Sequence, residues 1–246
     1  MLSTEEFFNS RAIKYNRLSN WTKFKELLNL SLEMINNIKG KVIVDLGVGT
    51  AFLLQQLKTF KIRIGVDISL NMLIEINDDN IYKVKANICE IPFLPVSIDI
   101  AICRQVLHYT DPKRVFSEIR RILRPGGYVH IVQITGYENI PRTWYNTWAK
   151  IRGVEGRRMF FKSDLLRLFS KSGFDVLKEN EIELLFVNKW DEFYERENVT
   201  YEKRLEVKNF FMNAEPLFGK ALKLKINNDS ISFSHKFSFF LLRISN

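Results

Sequence analysis

Asp45 stands where an apolar run, Val42 to Leu46, meets a glycine turn, Gly47-Val48-Gly49. The two glycines permit a tight turn and let a ligand touch the backbone, because no Cβ intervenes. Phosphate-binding turns share this outline. A carboxylate at the join, however, repels a pyrophosphate by a few kcal/mol at short range in a partly dehydrated cleft, and attracts an ammonium or a sulfonium instead. Neither anion-binding pattern is complete: position 52, where a dinucleotide turn has its third glycine, is Phe52, and the lysine of a phosphate loop is absent. A second acid, Asp67, ends the next apolar run 22 residues later. His108, in "CRQVLHY" after the fourth such run, is the best candidate base, since imidazole titrates near neutral pH; a pocket-wall histidine is the competing reading. His130 lies inside the run "YVHIV" and reads as a core residue, and His235 has no assignable place. Cys89 and Cys103 lack metal-ligand spacing with the three histidines, so no metal site is expected.

These residues need a scaffold. From Lys41 the chain alternates strand-like and helix-like segments: "KVIVDLG", "TAFLLQQLKTF", "IRIGVDI", "SLNMLIEIND", "IYKVKANI", "SIDIAICRQ", "PKRVFSEIRRIL" and "GGYVHIVQIT". Strands rich in Val and Ile, alternating with amphipathic helices, predict a parallel sheet covered on both faces. Right-handed crossovers bring the strand C-terminal ends to one edge, where ligands bind in open sheets. Before this core, residues 4–38 read as two amphipathic helices. After Thr135 come an aromatic and basic segment, a capped helix "KSDLLRLFSKSGF", a strand "FDVLKENEIELLFVN", a charged helical stretch and a last alternating run, "SISFSHKFSFFLLRIS". No internal repeat or linker divides the chain, so one α/β domain is expected: a helical cap over 1–40, a ligand-binding core over 41–135 and substrate-side elements over 136–246.

In this order and spacing the motifs resemble the class I S-adenosylmethionine-dependent methyltransferases, in the branch of the ubiquinone and menaquinone C-methyltransferases and many small-molecule methyltransferases. The family's acid followed by G-x-G-x-G matches Asp45, Gly47 and Gly49, with Ala51 at the last glycine. "IGVDIS" places Asp67, followed by Ile68, where the family's acid takes both ribose hydroxyls. "ANICEIPF" corresponds to G-D-A-E-x-L-P-F, which makes Asn87 and Ile88 the adenine contacts, with the Asn87 carbonyl oxygen in place of a carboxylate. "RILRPGG" matches R-x-L-[KR]-P-G-G, read physically as a helix stop and turn. Arg104 and Gln105 then face the methionine part of the cofactor. "FFNSRAIKYNRLSNW" resembles the N-terminal F-F-[DN]-x-x-A-x-x-Y-D, so that Tyr15 closes over the methionine carboxylate, with Asn16 replacing the acid. The resemblance implies a Rossmann-like fold with a mostly parallel seven-stranded sheet, helices on both faces, an N-terminal helical cap and an insert before the last strand. It also implies S-adenosyl-L-methionine as cofactor.

Methyl transfer from a sulfonium asks the enzyme to hold a nucleophile about 3 Å from the methyl, to exclude water and, where needed, to remove a proton. The expected acceptor is a small aromatic or acidic molecule, methylated on oxygen or nitrogen ahead of carbon. "WYNTW" puts Trp144 and Trp148 four residues apart on one helix face, with Tyr145 beside them, as an aromatic lid or as ordinary core packing. Arg142, with Arg152, Arg157 and Arg158, offers guanidiniums to a carboxylate or phosphate.

The net charge of +9 raises a nucleic-acid reading. The basic residues are nevertheless scattered among acids, and "CRQVLHY" stands where amino-group methyltransferases of bases carry N/D-P-P-Y/F. RNA methylation and a non-catalytic nucleotide-binding module therefore remain the alternatives, and a nicotinamide oxidoreductase is disfavoured by Asp45 and Phe52. The apolar content of 46% fits a globular protein. No apolar run approaches the roughly 20 residues of a bilayer span, and the acids of "MLSTEEFFNS" do not suit a signal peptide. A cytoplasmic monomer or homodimer is expected.

Overall fold

The computed structural model describes residues 3–19, 24–152, 158–197 and 199–245; Arg157 lies outside the described residues. The N-terminal segment forms α1 (Thr4–Arg11), α2 (Tyr15–Leu18) and α3 (Lys25–Ile35). Ser3 caps α1 in a reciprocal arrangement with Glu6. The core follows as β1 (Val42–Leu46), β2 (Ile62–Asp67), α4 (Leu70–Ile74), β3 (Ile81–Lys85), β4 (Ile98–Arg104), α5 (Pro112–Ile122) and β5 (Leu123–Thr135). Next are α6 (Arg142–Ile151), α7 (Lys162–Lys171), β6 (Phe174–Lys189), α8 (Trp190–Glu197), α9 (Arg204–Met212), α10 (Pro216–Ala221), β7 (Lys225–Ile226) and β8 (Ser230–Ile244).

Among the described residues the eight strands join one sheet in the order β3-β2-β1-β4-β5-β8-β6, with the two-residue β7 paired to β8 beside that path. The first five strands are parallel and β8 runs antiparallel between β5 and β6. The sheet is thus the expected one, with β7 as an addition, and the insert before the last strand consists of α8, α9, α10 and β7.

Side-chain alternation along β5 explains the two layers. Val129 and Ile131 face α5 and α7, packing with Val115, Phe116, Ile119, Leu165 and Phe169. Val132 packs on the opposite layer with Leu27 and Met34 of α3 and with Phe237 and Phe239 of β8. A third apolar cluster lies outside the sheet core, where α6 meets α8, α9 and α10 through Trp148, Phe193, Val207 and Phe211.

The glycine turn departs from expectation. No α-helix follows β1; only a 3-10 turn, Leu54–Gln56, forms. Gly47, Gly49 and Ala51 all take positive φ, at 75°, 55° and 60°. Three left-handed residues in five cannot start a right-handed helix, and Ala51 holds this conformation at a cost of roughly 1–2 kcal/mol. The position where the related family has its third glycine is therefore one where the backbone asks for glycine.

The "RPGG" motif lies far from the ligand edge, as its structural reading implied. Arg124 Nη1 pairs with Asp99 Oδ1 at 2.6 Å, and Asp99 Oδ2 accepts the amides of Lys41 and Val42 at 2.7 and 2.8 Å. A Cβ on Gly127 would come within 2.9 Å of the Arg124 carbonyl oxygen. The motif clamps the starts of β1, β4 and β5 together.

Candidate functional site

Two cavities open at the C-terminal edge of the parallel strands. The first, about 340 Å3, is lined by Asp45, Gly47 and Gly49 after β1, Asp67 and Ile68 after β2, Asn87 and Ile88 after β3, and Arg104 and Gln105 after β4, with Tyr15 above them. Every residue expected to hold the cofactor therefore borders one space, although they span 91 positions of sequence, from 15 to 105.

Asp45 is buried, and loss of hydration pushes its pKa up to about 6; nearby Arg104 opposes the rise and Asp67 adds to it. At pH 7 it is still mostly ionised, so the floor offers a charge with little solvent around it. Asp67 is also buried, and burial raises its pKa. Its two oxygens each accept a backbone amide, from Gly49 to Oδ2 and from Ser69 to Oδ1, both at 2.9 Å. The Ile68 amide also bonds this carboxylate, whose roughly four lone-pair sites leave capacity for a diol. Asn87 Oδ1 already accepts the Cys89 amide at 2.9 Å, leaving one lone pair for an adenine amino group.

The helical cap closes this side. Ser69 Oγ donates to Asn9 Oδ1 at 2.7 Å, and Thr50 Oγ1 donates to Asn16 Oδ1 at 2.8 Å. Asn16, where the related family has an acid, thus ties α2 to the glycine turn. A Cβ on Gly49 would stand 3.7 Å from Tyr15 Cε1, so the tyrosine ring lies directly over the turn. Burial raises the Tyr15 pKa to about 12, which keeps the phenol protonated.

The second cavity, about 270 Å3, lies between α1, α6, α8 and β8. Phe8, Tyr15, Gln105 and Tyr109 belong to both cavities and mark where they meet. Phe8 packs edge-on against Tyr109 at 5.0 Å. Gln105 holds a left-handed φ of 53° at this junction, a strained conformation for a residue with a side chain.

His108 borders the second cavity, and its Nδ1 lies 3.1 Å from Gln133 Nε2. That amide nitrogen also lies 3.4 Å from Gln105 Oε1 and 3.4 Å from the Ile134 carbonyl oxygen. Gln105 Oε1 in turn accepts the Ile134 amide at 3.1 Å, which sets its orientation. Two carbonyl oxygens therefore demand an NH2 group at Gln133, whose two hydrogens cannot serve both of them and His108 Nδ1 at once, so this contact does not set the His108 tautomer.

Trp144, Tyr145 and Trp148 all line the second cavity, yet they are core as well as wall. Trp148 stacks between Phe193 and Phe210, with centroids at 5.9 and 5.6 Å, and the Tyr145 hydroxyl accepts the Tyr137 amide at 2.8 Å. They form a fixed aromatic wall of α6 and not a free lid. Arg142, expected beside them, does not border this cavity. Its guanidinium pairs with Asp164 Oδ2 at 2.6 Å and donates to the Met159 carbonyl at 2.6 Å, joining α6 to α7 in a separate surface depression. Arg152 and Arg158 do border the second cavity.

Sequence reasoning missed Arg196, Glu197 and Gln133 on that wall and left His235 unplaced. Residues 196 and 197 sit in a charged helical stretch that looks solvated until Trp190, Phe193 and Tyr194 are seen buried one and two turns earlier. His130 needs no catalytic role in its geometry: it is fully buried with Nδ1 3.2 Å from the Phe240 carbonyl oxygen, and burial lowers its pKa to about 3. Among the described residues no group of three or more His, Cys, Asp or Glu could hold a metal ion. No helix among them is long and apolar enough to cross a membrane.

The strand order, the acid-glycine turn and the ligand edge define a class I methyltransferase fold. Residues 44–131 match the methyltransferase domain family. An uncharacterized protein of Methanocaldococcus jannaschii is 28% identical over 160 residues, 65% of this chain and 66% of that protein, just under two thirds of its length. A solved methyltransferase-type structure from Bacillus halodurans superposes with a TM-score of 0.81 at 22% identity, covering 89% of this chain and 99% of that one. Haemonchus contortus phosphoethanolamine N-methyltransferase 2, solved with phosphomonomethylethanolamine and S-adenosylhomocysteine, superposes with a TM-score of 0.64 at 18% identity, covering 100% and 61%.

Proposed function

We propose that this chain transfers a methyl group from S-adenosyl-L-methionine, held in the first cavity, to an oxygen or nitrogen of a small acceptor held in the second. The observation that carries the reading is the junction at Phe8, Tyr15, Gln105 and Tyr109, where an acid-floored cavity meets a basic, aromatic one. The residues fit the cofactor: Asp45 and Asp67 suit a cationic amino acid and a ribose diol, and the glycine turn leaves backbone open beneath Tyr15. When bound, the cofactor supplies an already activated methyl. The protein then has to align the acceptor and keep water out, and the aromatic rings of the cap and of α6 do both. A cavity of about 270 Å3 is at the small end for ligand sites, in keeping with a small acceptor.

S-adenosylhomocysteine at about 100 times its Kd is expected to add about 2.7 kcal/mol of stability, or roughly 5–10 °C in Tm for a chain of this size, with no shift from NAD. Stabilisation by NAD alone would sink the reading.

His108, which borders the second cavity, serves this reaction as the base where the acceptor must lose a proton, with a place in the pocket wall as the competing reading. Under saturating substrates, the pH profile of kcat is expected to show an acid limb in wild type that disappears in His108→Gln. Identical profiles would return His108 to the pocket wall.

A further inference from the structure

Away from the junction, the wall of the second cavity carries unbalanced charge. Arg152 at the end of α6 and Arg196 in α8 share one carboxylate: Arg152 Nη1 pairs with Glu197 Oε2, and Arg196 Nε pairs with Glu197 Oε1 at 3.0 Å. The three side chains are only 18%, 11% and 17% exposed, so water does little to screen them. Both guanidiniums lie on rings, Arg152 4.6 Å from Trp148 and Arg196 5.3 Å from Phe193. Arg196 Nη1 donates to Asn188 Oδ1, but Arg196 Nη2 and Arg152 Nε are buried with no hydrogen-bond partner. Glu197 is the only acid bordering this cavity among the described residues, and the other charged groups on its wall, Arg11, Arg158 and Lys236, are cations. His235 of β8 completes the wall, 4.7 Å from the Phe186 ring and 4.9 Å from Phe233. Burial first, and Arg196 second, lower its pKa to about 4, so at neutral pH it is an uncharged donor or acceptor.

Two guanidiniums against one carboxylate leave one positive charge largely out of water, an arrangement that is unfavourable without a counter-charge. A planar guanidinium with free N–H groups matches an oxyanion in both charge and shape. We infer that the methyl acceptor carries an oxyanion, a carboxylate or a phosphate ester, which docks on Arg152 and Arg196 while its nucleophilic atom points to the junction. This inference rests on the transfer reading for the acceptor's role, but the anion site stands on its own geometry.

Glu197 makes the test directional, because it competes with the ligand for the same two arginines. Benzoate and phenyl phosphate, titrated calorimetrically into the protein without nucleotide, are expected to bind saturably, whereas benzamide and phenol are not. Arg196→Gln and Arg152→Gln should each weaken the oxyanions about tenfold or more, and Glu197→Gln should tighten them by a similar factor. Binding of phenyl phosphate alone would name a phosphate ester, and binding of both a general oxyanion site. Equal binding of the neutral rings, or weaker binding in Glu197→Gln than in wild type, overturns the inference. Retained stabilisation by S-adenosylhomocysteine marks each variant as folded. If the oxyanions bind wild type and S-adenosylhomocysteine does not, the transfer reading fails alone; the reverse result defeats the anion site alone.

Discussion

Gly47→Ala is expected to destabilise the protein by about 2–5 kcal/mol, a fall in Tm of the order of 5–15 °C, and to abolish cofactor binding at the temperatures where wild type binds. Two independent effects add. The residue holds φ at 75°, where a side chain costs roughly 1–2 kcal/mol, and its Cβ would lie 2.6 Å from Val106 Cγ2 and 2.9 Å from Val106 Cβ. Val106 follows β4 and borders the first cavity, so any retreat from the clash moves that wall. The double variant Gly47→Ala with Val106→Ala separates the effects: it should recover the steric part and leave the backbone part. If the single variant melts within about 1 °C of wild type, the turn geometry described above is wrong. Ala51, at φ 60° in the same turn, predicts the opposite sign. Ala51→Gly is expected to raise stability by up to about 1 kcal/mol, the relief of the left-handed conformation less the entropy that glycine loses.

Asp67→Ala is expected to weaken binding of S-adenosylhomocysteine by roughly 1–3 kcal/mol, about 5- to 150-fold, through the lost bonds to the ribose. It should also lower stability without any ligand, because the Gly49 and Ser69 amides lose their common acceptor. The two contributions can be told apart with the 2′-deoxy analogue. Wild type should discriminate against it, and Asp67→Ala should bind both forms with equal weakness. An alanine variant that still prefers the ribose form would place the diol elsewhere. Asp67→Asn offers an intermediate case, since its side chain keeps one carbonyl oxygen for one of the two amides.

Much of the first cavity was legible before any coordinates, because its determinants are local. Asp45, Gly47 and Gly49 lie within five residues, and Asp67 and Arg104 end, and Asn87 closely follows, strands whose Val and Ile content announces them. Parallel pairing, with Asp45 opposite Gly65 and Ile102, then brings those ends to one edge. The failures have physical causes as well. "TAFLLQQLKTF" has helical periodicity, but a left-handed Ala51 blocks the start of the helix, and propensity cannot overcome that conformation. Arg142 looked equivalent to Arg152, yet α7 gives the first Asp164 and α8 gives the second Glu197.

By itself, then, the sequence determined the class of fold and most of the border of the first cavity, since strand pattern and the acid-glycine spacing are properties of neighbouring residues. Only the tertiary structure decided the wall of the second cavity. Arg152 and Glu197 stand 45 residues apart, and His235 reaches them through the antiparallel register that sets it opposite Leu184 in β6. Charge balance in a buried wall depends on which long-range partners meet there. Neither composition nor spacing records that meeting.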